Sequence, residues 1–165
     1  MVAIAVLCGH REAHAGDAFG EGQIAWTDAV TGHAHFGQGG SLAGRVGYLY
    51  GASTKIGFVF ELDLSYSKVS PDNWSWARML VGPRVLVPVS QSTSIAVDGQ
   101  FGLDYLASGA YAFQLSAGPR FRCGPHMYVG ADLSVIYSHI NEIVENYPDP
   151  NGTMLVVGAN LGASW

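Results

Sequence analysis

A chain of 165 residues with a formal net charge of −5 has room for one domain, and its eight Lys and Arg residues form no basic patch, which excludes nucleic acid as a partner. Charged residues make up 13% of the chain, about half the share in an ordinary soluble domain, while hydrophobic residues reach 48% and glycines number 22. No run approaches the roughly 18 to 20 apolar residues of a membrane helix, so any membrane span must be built from strands.

At the N-terminus, residues 2–8 (VAIAVLC) form a short apolar run, and Ala13-His14-Ala15 before Gly16 has the small-x-small form of a cleavage site. A basic n-region is missing, so 1–15 reads as a signal peptide or its remnant and 16–165 as one barrel domain. Cys8 falls in that leader, which leaves Cys123 as an unpaired thiol near a turn.

From there the chain alternates with a period of two, which no helix template fits. Gly22 to Val30 is the faintest segment and Leu42 to Tyr50 the next. Lys55 to Tyr66 sets Ile56, Phe58, Phe60, Leu62 and Leu64 on one face against Gly57, Val59, Glu61 and Asp63 on the other. Trp76 to Val87, Ser92 to Tyr105, Tyr111 to Cys123 and Met127 to Tyr137 repeat that split, and Thr153 to Trp165 closes the series on an aromatic. Short connectors at 51–54, 88–91 and 124–126 interleave with longer ones at 31–40, 69–73 and 139–152. The pattern predicts an all-β fold, an eight-stranded antiparallel up-and-down transmembrane β-barrel with both termini on one side. Gly82-Pro83-Arg84 and Gly118-Pro119-Arg120 recur in successive hairpins, and proline inside a strand predicts a bulge or added twist at each.

The charges follow the same grammar. Arg45, Arg78, Arg84, Arg120 and Arg122 share the small or polar faces with Glu61, Asp63, Asp98, Asp104 and Asp132, and none falls on an apolar face. A charge facing lipid at midplane costs about 2–4 kcal/mol, so the apolar rows are expected to face acyl chains and the charged rows to interlock inside. An eight-stranded interior is just wide enough for side chains, which predicts a polar plug rather than a pore, the narrow channel being the alternative. Tyr48, Tyr50, Tyr66, Trp74, Trp76, Tyr105, Tyr111, Tyr137 and Trp165 sit toward strand ends, as interface belts do. A soluble lipocalin-type barrel would also alternate, but with its aliphatic faces inward.

The alternation, the glycine-rich strands, the Ala13-His14-Ala15 site and the terminal Leu161-Gly162-Ala163-Ser164-Trp165 together resemble small outer-membrane β-barrel proteins of the OmpA and OmpX kind, over Gly20 to Trp165. The resemblance implies the outer membrane of a Gram-negative cell envelope, with both termini periplasmic. It implies outer-membrane lipid and lipopolysaccharide as surroundings, barrel-assembly machinery recognising Trp165, and extracellular or host ligands met by surface-exposed loops. A fainter similarity is to lipid A 3-O-deacylases, through Tyr137-Ser138-His139-Ile140-Asn141 and the Asn/Pro/Gly stretch after it. His139 matches that family's base, but Asn141 stands where its serine nucleophile belongs, and Thr153 or Met154 where its carboxylate belongs. Ser134 or Ser138 with Glu142 or Glu145 are the substitutes, yet Ser138 adjoins His139 on a strand and points to the other face.

Two further constellations carry a plainer reading. His33-Ala34-His35, with Asp28 or His139, offers a Zn or Cu donor set, but in a glycine-rich stretch it reads as solvated polarity, so no metal or cofactor is expected. Trp74 and Trp76 beside Pro71-Asp72-Asn73 could stack on a sugar, but read as interface anchors. The expectation is therefore a non-enzymatic barrel with a salt-bridged interior, acting as an envelope-structural or surface-interaction protein.

Overall fold

The computed structural model describes residues 16–31, 38–68, 73–104, 111–139 and 151–165. Eight strands follow one another: β1 (Asp17–Thr31), β2 (Gln38–Tyr50), β3 (Lys55–Lys68), β4 (Asn73–Pro88), β5 (Thr93–Asp104), β6 (Tyr111–Arg122), β7 (Met127–His139) and β8 (Gly152–Ser164). Each pairs antiparallel with the next and β8 returns to β1, so the sheet closes and leaves no edge. The leader 1–15, with Cys8, and the histidines at 33 and 35 lie outside the described residues, as do Tyr105, Asn141, Glu142, Glu145 and the side chains of Trp74 and Trp76.

Closure needs stagger, and the register supplies it. Partners traced from Asp17 run through Leu49, Gly57, Arg84, Asp98, Ser116, Ser134 and Val156 and come back to β1 at Thr27, ten residues further along. That stagger tilts the strands and brings residues from non-adjacent strands to one height inside.

Orientation is settled by exposure. Ile24 is 72% exposed, Leu115 64% and Leu133 55%, whereas Arg84 and Asp98 on neighbouring strands are 2% and 1%. Phe60 and Leu103 also face outward. The greasy rows form the outer wall and the charged rows line the lumen, the reverse of a lipocalin-type barrel. Tyr50, Tyr66, Tyr137 and Trp165 are exposed on that wall near strand ends, and Tyr48 meets Tyr50 edge to face at 4.6 Å.

The two Gly-Pro-Arg segments contain no bulge. Val81 pairs with Phe101 and Arg84 with Asp98 in one unbroken register, and Ala117 with Leu133 matches Arg120 with Gly130 in the same way. The pairs that drop out are those of Gly82-Pro83 with β5 and of Gly118-Pro119 with β7. Proline lacks the N–H that this side of the ladder needs, so two pairs are lost while the register carries on unchanged. Among the described residues the register shifts between Ala29 and Thr31 of β1 against β8.

Small residues on the inner face make room for large ones. A Cβ at Gly162 would lie 2.3 Å from the Tyr128 ring, and one at Gly158 would fall 2.6 Å from Gln23 Nε2. At the turn end, Gly51 holds φ at 129°, a conformation other residues resist, and lets β2 reverse into β3. Trp165 is stitched to β1 by two backbone hydrogen bonds with Ala18, each 3.0 Å, at the same end as Gly16.

Candidate functional site

The lumen holds a charged hub built from strands all round the barrel. Arg45 of β2 lies at its centre: its Nε donates to Glu61 Oε2 at 2.7 Å, its Nη1 to Glu21 Oε1 at 2.9 Å and also to Asp132, and its Nη2 to Gln23 Oε1 at 3.2 Å. Arg120 of β6 grips Glu21 at 2.9 and 3.0 Å and Asp132 at 2.8 and 3.0 Å. Arg84 of β4 forms a two-pronged pair with Asp98 at 2.7 and 2.6 Å, approaches Glu21 at 3.5 Å, and covers the Phe19 ring at 4.6 Å. Gln114 donates to both Glu61 and Gln100, at 3.1 and 2.8 Å, and ties the hub to β5.

Arg120 also mends the ladder that Pro119 breaks. Without a proline N–H, the Ala131 carbonyl on β7 loses its rung, and Arg120 Nη1 donates to that oxygen at 3.2 Å. At Pro119-Arg120 the proline thus opens a carbonyl and the next side chain closes it.

Toward the end where the longer connections leave the sheet, a second polar cluster forms. Arg78 Nη2 donates to Asp63 Oδ2 at 2.5 Å and is 2.7 Å from Ser65 Oγ, while Ser138 Oγ donates to Asp104 at 2.9 Å. Beside it an apolar cluster of Ala25, Leu80, Ala112, Ile136, Met154 and Val156 fills the lumen. Toward the other end the hub is sealed by Phe19, Leu49 and Val59, with Leu86 packed against them. Polar and apolar material together occupy the cross-section.

Of the residues expected inside, Arg45, Glu61, Asp63, Arg78, Arg84, Asp98, Asp104, Arg120 and Asp132 are all buried there. Arg122 is not. It is exposed at the turn end, because β6 ends there and the lumen opens to water one step beyond Arg120. Glu21 takes the place expected of Arg122 in the count but with the opposite sign, and is the carboxylate that touches three arginines. The alternation of β1 could have placed it, since Glu21, Gln23, Ala25 and Thr27 share one buried face. The buried interior therefore holds four arginines and six carboxylates among the described residues.

The catalytic candidates are kept apart. Ser138 points into the lumen onto Asp104, and Ser134 is buried there too, whereas the His139 ring stacks on Tyr111 at 4.8 Å, among the aromatic side chains Phe101 and Phe113 of the outer wall. A wall of sheet separates each serine from that imidazole. Asp28 is described but its expected histidine partners at 33 and 35 are not.

These features define a small eight-stranded antiparallel transmembrane β-barrel with a side-chain-filled lumen. Solved structures agree: Neisserial surface protein A matches with a TM-score of 0.53 at 12% identity over 91% of this chain and 97% of that one. The outer membrane enzyme PagL matches at 0.53, with 8% identity over 86% and 97%, and Ail of Yersinia pestis, solved with the heparin analogue sucrose octasulfate, at 0.51, with 13% identity over 91% and 99%. No family model matches the chain, and no curated protein matches it in sequence.

Proposed function

We propose that this protein is a closed, non-enzymatic barrel of the bacterial outer membrane, with both termini periplasmic, that stabilises the envelope or presents its long connections to partners at the cell surface. The reading rests above all on the hub of Arg45, Arg84 and Arg120 with Glu21, Glu61, Asp98 and Asp132, which bridges the lumen from β1 to β7 with paired side chains. Outer-membrane lipid and lipopolysaccharide surround such a wall, and barrel-assembly machinery would engage it through β8 and Trp165. A barrel of like fold, Ail, has been solved in complex with the heparin analogue sucrose octasulfate. The connection at 140–150 here carries Glu142, Glu145 and Asp149, so its partner should be cationic rather than sulfated.

Planar-bilayer recording tests the reading directly. The purified protein should give a flat baseline, and stable, large unitary steps would overturn it in favour of a channel. An enzymatic role is tested separately by mass spectrometry of lipid A from cells expressing the protein, where loss of a 3-linked acyl chain dependent on His139 would defeat the non-enzymatic assignment.

A further inference from the structure

The end of the barrel that carries Gly16 and Trp165 opens into a cavity of about 90 Å³. Its floor is apolar, formed by Phe19 and Leu49 with Leu86 beside them. Lys55 and Arg122 bring positive charge to its rim, His126 lines it beside them, and Asp17, the acidic residue among the lining, is already held by Lys55. Arg84 and Arg120 also reach it, but their guanidinium groups are occupied by Asp98, Glu21 and Asp132.

Arg122 differs from all of these. Its place on β6 puts it on the lumen side with Arg120, it lines the cavity, and its guanidinium forms no ion pair among the described residues. The lumen hub does not use it and the lipid wall does not contain it. An uncommitted guanidinium over a greasy floor is matched by a ligand with the complementary split, an oxyanion at one end and hydrocarbon at the other.

We infer that this mouth is a binding site for a small organic carboxylate. The carboxylate takes the two parallel donors of Arg122, with Lys55 at the same rim, and a short apolar body covers Phe19, Leu49 and Leu86. A carboxylate fits better than inorganic phosphate, since a bare phosphate would leave the apolar floor wet and would bring a second negative charge beside Asp17. A neutral alcohol of the same length would cover the floor but leave the arginine unmatched.

The test is titration of the full-length protein in lipid nanodiscs with hexanoate, inorganic phosphate and hexanol, followed by 15N–1H NMR. Hexanoate should shift the Arg122 and Tyr128 amides to saturation while Leu133 on the outer wall stays still. Arg122→Gln, an exposed change that leaves the hub intact, should weaken hexanoate by about tenfold or more, the scale of one charge-assisted hydrogen bond. Lys55→Gln should weaken it less. Shifts that never saturate, that move Leu133 in parallel, or that are unchanged in Arg122→Gln would overturn the site. Phosphate or hexanol binding as tightly as hexanoate would overturn its specificity for an organic acid.

Discussion

Glu21 of β1 and Arg120 of β6 stand three strands apart round the barrel and meet across the lumen, with Arg120 Nε on Glu21 Oε2 at 2.9 Å and Nη2 on Oε1 at 3.0 Å. The pair is a transverse brace. Its strength is not the gain over a greasy core but the cost of leaving either charge alone in a low-dielectric interior.

Arg120→Met should therefore destabilise the barrel by about 3–5 kcal/mol, measured by urea unfolding in lipid vesicles. The double variant Glu21→Gln with Arg120→Met should lose less than the sum of its singles, because removing both partners leaves fewer stranded charges. Additive losses would show that the two side chains do not act as a unit.

The outer wall makes a separate prediction. Leu133, 55% exposed on β7, should tolerate Ala with a small loss, whereas Leu133→Arg should cost about 2–4 kcal/mol if the residue lies near the bilayer midplane. Stabilities equal for Ala and Arg would place this face in water.

Opening the lumen should also reveal its sign. With four arginines facing six carboxylates, the variant Arg45→Ala, which takes the paired arginine from Glu61 and one of several from Glu21 and Asp132, should raise the leak current in planar bilayers, and that leak should favour cations. An anion-selective leak would contradict the charge balance of the interior.

Sidedness can be read from Cys123, exposed at the turn between β6 and β7. In a Cys8→Ser background, a membrane-impermeant maleimide should leave intact cells unlabelled and label Cys123 after outer-membrane permeabilisation. Labelling of intact cells would invert the topology and put the termini outside.

Much of this architecture was legible from period-two alternation, because lipid on one side and a charged lumen on the other force every residue of β3, β5 and β7 to choose a face. β1 was harder. Gly20 and Gly22 interrupt its outer row, so its periodicity begins late and Glu21 falls just outside the segment that alternation marks. Arg122 misled for the opposite reason: alternation assigns a face but not a height, and at the end of a strand the inner face already touches water. The unbroken register at Pro83 and Pro119 was hidden because a lost N–H is a local fact, whereas whether the strand bulges or skips depends on its neighbours. His139 and Ser138 were separable from sequence alone, adjacent residues on a strand being turned to opposite sides.

The ten-residue stagger bears on how the protein comes into being. Glu21 answers arginines on β2, β4 and β6, yet β1 reaches β6 only by way of β8, the strand that emerges last. Until that seam zips, Arg120 and Asp132 face a gap instead of their full set of counter-ions. A half-made cylinder would thus carry naked charge into the bilayer, which favours insertion and closure as one concerted event and disfavours any long-lived open intermediate.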